Sequence, residues 1–393
     1  MVAWPTVPIG ELFRLKQGTY LKPEEMEQEQ TDAFPFPVYG ANGVIGYSNR
    51  KMYSERTTLV SCRGANCGVV HYTVPNVRIS NNSIACVPTA EIDPTFYYYV
   101  CLNTNFGDVI TGSAQPQITI TNLSSKKFIK PSLQVQRRIA GILSAYDELM
   151  ANSQRRIRIL EAMAHALYRE WFVQFRFPGQ EKVPRVASAL GDIPKGWEVK
   201  SLADLMDIRG GSQPPKSAFV YEPQEDYIRL IQIRDYESDS HLTFVRKSPK
   251  LRLCGRTDIM IARYGASVAR ICSGLDGAYN VALAKVIPTI PHCQEFLRQF
   301  VSDNEFQKLL IGMSGRAAQN GFNKSDIAAV RVAVPTGSNL LQRFERFAVP
   351  IRDSILVLHD KIQNLRRMRD LLLPRLLSGQ IDFGEAEERQ AAA

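Results

Sequence analysis

The chain has 393 residues, 45% of them hydrophobic, and carries a formal net charge of +9 with a pI near 9.2. That length exceeds what one core usually supports, and that apolar content excludes a disordered chain. The basic balance points to an acidic partner, most often nucleic acid.

Residues 1–133 read as a mixed, strand-rich domain. Short β-branched or aromatic runs at Thr57–Ser61, Val69–Val74 and Ser83–Val87 alternate with Gly, Asn and Pro turns. Asn42-Gly43, set between Val38-Tyr39 and Val44-Ile45, predicts a tight turn. Pro94 to about Asn103 predicts a short helix capped by Asp93. From about Gln134 the apolar residues fall at steps of three and four: Ile139, Ile142, Tyr146, Leu149, Ile157, Leu160, Met163, Leu167 and Trp171. This period predicts one amphipathic helix over 134–175, roughly 55–60 Å long.

Residues 176–193 carry Pro178, Gly179, Pro184 and Gly191 with little periodicity and read as a linker. A second strand-rich domain follows over 194–338, with strands expected at Tyr227–Ile233, Ile259–Ala262 and Ala282–Ile287. A second long helix spans 339–379. Its apolar positions are Leu341, Phe344, Phe347, Ile351, Ile355, Leu358, Ile362, Leu365, Met368, Leu372 and Leu376. Pro350 and Pro374 are expected to kink or break it, and Gly379 to stop it. Residues 380–393 read as a flexible acidic tail ending in Ala.

The two halves repeat each other. Trp4, Ile9, Leu12, Phe13, Leu15 and Gly18 lie over Trp197, Leu202, Leu205, Met206, Ile208 and Gly211. Thr57, Leu59, Val60 and Arg63 fall on Thr257, Ile259, Met260 and Arg263, and Pro131 falls on Pro335. Subtracting 205 from the second helix's apolar positions gives eleven partners in the first helix, nine of them apolar, without a gap. The expected fold is therefore α+β: two strand-rich domains related by a pseudo-two-fold repeat and separated by a long antiparallel two-helix coiled coil. The alternative is that each helix packs on its own domain.

Catalytic motifs are lacking. The sequence has no G-x-x-x-x-G-K-[ST], no G-x-G-x-x-G opening a helix after a strand and no H-E-x-x-H. The five histidines, His71, His165, His241, His292 and His359, are scattered. Seven cysteines include no C-x-x-C pair; Cys62 and Cys67 have no second ligand pair near them, so no metal site and no catalytic residue is expected. The count is that of buried thiols in a cytoplasmic protein, with no signal peptide and no apolar run near 18 residues for a membrane span. Asp93-Pro-Thr-Phe96 resembles the tetrapeptide with which amino-methyltransferases hold a flipped base. Its third position is Thr and no glycine-rich cofactor loop accompanies it, so it reads better as a helix cap. Glu198-Val-Lys200 could be half of a nuclease metal site, but its repeat partner Pro5-Thr-Val7 is uncharged.

Loops rich in Arg, Asn, Gln and Gly remain, the side chains that read guanine and adenine edges. The first half offers Asn42, Gly43, Arg63, Asn66, Gln115 and Gln117. The second offers Arg234, Arg263, Tyr264, Ser267, Arg316, Gln319 and Asn320. Ordinary turns are the competing explanation for each loop alone.

With these residues the chain resembles the specificity subunit of type I restriction–modification systems. The resemblance rests on Tyr39-Gly-Ala-Asn-Gly-Val-Ile-Gly46, Gly112-Ser-Ala-Gln-Pro-Gln-Ile118, Gln136-Arg-Arg-Ile-Ala-Gly-Ile-Leu-Ser144, Ile193-Pro-Lys-Gly-Trp197 and Asn364-Leu-Arg-Arg-Met-Arg-Asp-Leu-Leu-Leu-Pro-Arg-Leu-Leu-Ser-Gly379. It covers nearly the whole chain. It implies two target recognition domains, each reading one half of a bipartite asymmetric double-stranded DNA site, with the helices as spacer. It implies two modification subunits that methylate adenine N6 with S-adenosylmethionine. It also implies restriction subunits, up to two, that use ATP and Mg²⁺, and no cofactor in this chain. Two other readings stay open: an enzyme with a poorly matching site, and a structural adaptor whose basic charge is incidental.

Overall fold

A computed structural model describes residues 4–112, 114–179, 183–239, 241–314 and 321–381. The chain divides into two compact units, Met1–Ala151 with Ile362–Ala393, and Asn152–Lys361. The divisions fall inside the long helices, Leu133–Tyr168 and Asn339–Leu377, so each helix supplies a segment to each unit.

In the first unit a four-stranded antiparallel sheet has the spatial order Phe13–Gln17, Ser83–Pro88, Thr58–Ser61, Val70–Tyr72. A smaller sheet pairs Phe36–Gly40 antiparallel with Gly43–Ser48 and parallel with Arg78–Ile79. Thr6–Pro8 pairs with Lys127–Ile129. The Ala41-Asn42 turn joins the hairpin, and Gly43 takes the positive φ of 94° that such a turn requires. Pro94–Leu102 is helical, and the Asp93 carboxylate accepts the Phe96 N–H at 2.8 Å as its cap.

The second unit repeats this plan. Its four-stranded sheet runs Met206–Gly210, Leu283–Pro288, Ile259–Ala262, Ile271–Cys272. Tyr227–Ile231 pairs antiparallel with Phe244–Arg246 and parallel with Gly277–Tyr279, and Trp197–Ser201 pairs with Arg331–Pro335. Residues read as a featureless linker differ from expectation. Arg185–Ser188 and Gly191–Pro194 form a hairpin, and Phe177 and Ile193 are buried in the core. Gly191 (φ 88°) and the Ser188 hydroxyl, which donates to the Gly191 carbonyl, close the turn.

The helix segments pack antiparallel within each unit and enter the core of the strand-rich domain there. In the first unit Ile139 and Leu143 share a core with Phe96, Tyr97, Leu373, Leu376 and Leu377, while Asp147 meets Arg369 at 2.6 Å. In the second, Trp171 stacks edge-on against Phe344 and Phe347, and Phe172 packs on Phe296 and Trp197. The apolar stripes thus serve helix–helix and helix–domain contact together. The two polar members of the repeat, Gln136 and Ser153, are buried. Gln136 bonds the Asp93 N–H and the Pro131 carbonyl, which satisfies its amide. Ile142, Tyr146, Leu160, Leu167, Ile351, Ile355, Leu365 and Leu372 are partly buried, and Ile157, Leu358 and Ile362 are buried. Met163 and Met368, read as seam residues, are instead exposed, and Phe347 is exposed on one side while its ring meets Trp171 of the other helix.

The second helix runs unbroken through Pro350 and Pro374, so neither proline marks a break. Both prolines are exposed, so the carbonyls that lose their N–H donors face water. The helix ends where Gly379 turns to φ 68° and Gln380 N donates to Arg375 O. The first helix passes into a π-turn at Arg169–Val173, closed by a bidentate Arg176–Glu170 pair.

Candidate nucleic-acid interface

Gly18 and Gly211 mark the same place in the two units. A Cβ on Gly18 would lie 2.3 Å from the Ser80 carbonyl oxygen, and one on Gly211 would lie 2.1 Å from that of Asn280. Both glycines therefore let a sheet strand cross directly over the loop that follows the parallel pair. Gly18 N donates to Ser83 O and Gly211 N to Leu283 O. Around this crossing the predicted loops of the first unit come together at one end of its four-stranded sheet, as do the described parts of those in the second.

In the first unit the Ala41-Asn42 turn is anchored by Ser61 Oγ and the His71 ring, both on the Ala41 carbonyl. Ser83 Oγ donates to Gly40 O. The loop after Ser61 meets the segment before Ile118. Gly64 N donates to Pro116 O, Ile118 N donates to Cys62 O, and Arg63 pairs with Gln117 as an antiparallel bridge. Gly112 (φ 89°) turns the second segment so tightly that a Cβ would meet Gln115 O at 2.5 Å. Asn42, Arg63, Gln115 and Gln117 are exposed there, with Gly43 and Asn66 partly buried. Sequence reading missed Gln17 and Asn81. Gln17 Nε2 donates to Asn81 O at 2.6 Å and approaches Cys62 Sγ at 3.6 Å. Burial raises the Cys62 thiol pKa, so it stays protonated and unreactive at neutral pH.

The second unit builds the same frame from different side chains. The loop Arg63-Gly-Ala-Asn-Cys-Gly68 superposes in bonding pattern on Tyr264-Gly-Ala-Ser-Val-Ala269. Cys67 N donates to Gly64 O and Val268 N to Gly265 O; Gly68 N donates to Ser61 O and Ala269 N to Ala262 O. Gly64 and Gly265 share positive φ of 77° and 72°, and Ala269 holds 68° where Gly68 has 90°. Tyr264 bridges Gly321 as Arg63 bridges Gln117. The repeat offset here is 201, not 200. The expected equivalence of Arg63 with Arg263 is thus wrong by one residue, and along a strand such a slip moves a side chain to the other face. Arg63 corresponds to Tyr264, and Arg263 corresponds to Cys62.

Arg263 therefore occupies an inward position. Its guanidinium lies over the Tyr264 ring, 5.0 Å from the centroid, and a Cβ on Gly210 would come within 2.9 Å of Nη1. Gly210 stands where the first unit has Gln17. Ser267 is partly buried in the loop, and Arg270 at its end pairs with Glu237. Tyr227–Ile231 leads into a 3₁₀ turn, Ile233–Tyr236, that puts Arg234 on the surface; no tight Asn-Gly turn occurs here. Asp235 in that turn is buried, accepts the Gln232 N–H, and has its pKa raised by burial. Arg316, Gln319 and Asn320 lie outside the described residues.

The two near-miss motifs have structural roles. Phe96 of the Asp-Pro-Thr-Phe run is fully buried. Glu198 and Lys200 pair with each other at 2.8 Å on a strand of a two-stranded sheet. All seven cysteines are free, and burial pushes the thiols of Cys254 and Cys293 up to about 12. Among the described residues no group of three or more His, Cys, Asp or Glu is placed to hold a metal ion, and no helix is long and apolar enough to cross a membrane.

A family profile described as the type I restriction modification DNA specificity domain matches residues 1–162. The chain is 23% identical to the specificity subunit of type I restriction enzyme MjaIX of Methanocaldococcus jannaschii, over 85% of this chain and 80% of that protein. It is 24% identical to the HindI specificity subunit of Haemophilus influenzae, over 78% of this chain and 82% of that protein. Its fold is similar to the crystal structure of a type I restriction–modification S subunit from M. genitalium, with a TM-score of 0.60 at 15% identity, covering 95% and 96% of the two chains.

Proposed function

We propose that the chain is a specificity subunit of a type I restriction–modification system, like the proteins it is similar to, and that its two strand-rich domains each read one half of a bipartite, asymmetric double-stranded DNA target. The observation that carries this reading is the repeated frame with divergent side chains. Equivalent loops in the two units have the same backbone bonding, yet present Arg63, Asn66 and Gln117 in one and Tyr264, Ser267 and Gly321 in the other. A conserved scaffold with exchanged reading groups suits two half-sites of different sequence.

In this proposal the chain does no bond chemistry. Two adenine-N6 methyltransferase subunits dock on it, and an ATP-dependent restriction subunit joins them. S-adenosylmethionine, ATP and Mg²⁺ belong to those partners. Exposed apolar residues on the long helices support protein docking: Leu149, Met368 and Leu371 in the first unit, and Ile159, Met163, Phe347 and Val357 in the second. The target's spacer is set by the length of the uninterrupted helices, 36 and 39 residues, or about 54 and 58 Å.

Methylome sequencing of a host carrying this chain and its modification subunit tests the reading; two unlike half-sites with a constant spacer are expected. Affinity of the complex for its target should fall steeply as salt rises, because arginine and lysine contacts to phosphate release counterions. Methyl transfer or DNA cleavage by the purified chain alone would overturn the assignment.

A further inference from the structure

The Arg263 side chain has no hydrogen-bond or carboxylate partner among the described residues, and its Nε, like that of Arg229, is buried without an acceptor. Arg229 and Arg270, in contrast, pair with Asp239 and Glu237. The guanidinium is nonetheless held in place. Its backbone N–H donates to Ala282 O, its guanidinium carbon lies over the Tyr264 ring at 5.0 Å from the centroid, and its Nη1 occupies the space beside the missing side chain of Gly210. A placement of this kind limits the freedom an arginine loses when it forms a two-pronged bond.

The matching place in the first unit is uncharged. Gln17 and Cys62 stand where Gly210 and Arg263 stand, and the Gln17 amide already donates to Asn81 O. Gly thus stands in place of Gln where Arg stands in place of Cys, and a Cβ at position 210 would require the guanidinium to move.

We infer that Arg263, seated over Gly210 and held over the Tyr264 ring, reads a guanine through O6 and N7 in the half-site bound by residues 194–338, and that the first domain has no such reader at the equivalent position. This rests on the DNA-recognition reading above. A partly buried guanidinium already positioned over an aromatic ring suits a base edge that projects into it. A phosphate contact has no need of the Gly210 socket. Bidentate arginine–guanine contacts discriminate against other bases by roughly tenfold to a hundredfold.

The test uses the full chain assembled with its modification subunits, methylating a library in which both half-sites are randomised. Arg263→Ala should lower discrimination at one G·C pair of one half-site by roughly tenfold to a hundredfold and leave the other half-site unchanged. Gly210→Ala, which displaces the guanidinium without removing charge, should relax the same base pair. Thermal melts matching wild type establish that both variants are folded. A loss spread evenly over all sequences, with the salt dependence reduced by about one phosphate contact, would overturn the inference in favour of backbone binding. Unchanged preferences in Arg263→Ala would overturn it outright. Wild-type complex with no preference in either half-site would instead sink the recognition reading on which it stands.

Discussion

Single residues decide how closely backbones approach in this protein. Gly211 lies so near the Tyr279 and Asn280 carbonyls, 2.3 and 2.1 Å from a Cβ, that a methyl group there must move backbone. Gly211→Ala is expected to destabilise the second unit by about 3 kcal/mol, as overpacking does, measured by denaturant unfolding. Gly141 offers the opposite case. It lies exposed inside the first long helix with nothing near its Cβ position, so Gly141→Ala should stabilise by about 1 kcal/mol through helix propensity alone. Comparable shifts in the two variants would contradict this account. The Gly18/Gly211 equivalence was legible in the sequence because both sites need the same missing side chain. The inward placement of Arg263 was not. A one-residue change of offset leaves almost no mark in a short apolar strand, yet it exchanges the two faces.

Elements are joined to the strand-rich domains by a few polar anchors among apolar contacts. In the first unit Asp147 accepts from Arg369 and from the Tyr99 hydroxyl, each at 2.6 Å. Burial and this carboxylate hold the Tyr99 phenol far above its ordinary pKa. In the second unit Glu295, 1% exposed, is held by Arg352 at 2.6 Å and Arg298 at 2.9 Å, tying the helix Gln294–Ser302 to the second long helix. Glu295→Ala removes the charge that both arginines face. It should cost about 3 kcal/mol, seen as a lower denaturation midpoint, and Glu295→Gln should recover only part of it. A cost below about 1 kcal/mol would mean that solvent reaches the arginines. Helix length and period were legible because steps of three and four persist over nearly forty residues. The burial of Gln136 and the exposure of Met163 and Met368 were not, since polarity alone does not tell which neighbour supplies a hydrogen bond or which face a domain covers.

The whole molecule joins two versions of one plan. If each domain reads independently, as proposed, replacing residues 1–133 with the corresponding domain of a type I specificity subunit should change one half-site of the methylated target and leave the other intact. A change in both would argue for joint readout. If the helices set the spacer, inserting four residues, about one turn, into both should change the number of unread base pairs while both half-sites persist. Sequencing of methylated sites measures both outcomes.

The sequence by itself determined the duplication, the two strand-rich domains and the two long helices. Apolar period and turn-forming glycines are local properties, and each half repeats them. It also singled out the loop sets of both halves, because Arg, Asn, Gln and Gly cluster there without a catalytic pattern. Only the tertiary structure decided which loop residues are equivalent. It paired Arg63 with Tyr264 through their bridges to Gln117 and Gly321, and set Arg263 over Gly210 in the place of Cys62 and Gln17. The physical reason is that strand register is established by partners far apart in the chain, here Ser83–Pro88 and Leu283–Pro288. Those partners fix which face each side chain takes, whereas a local pattern is satisfied equally well one residue away.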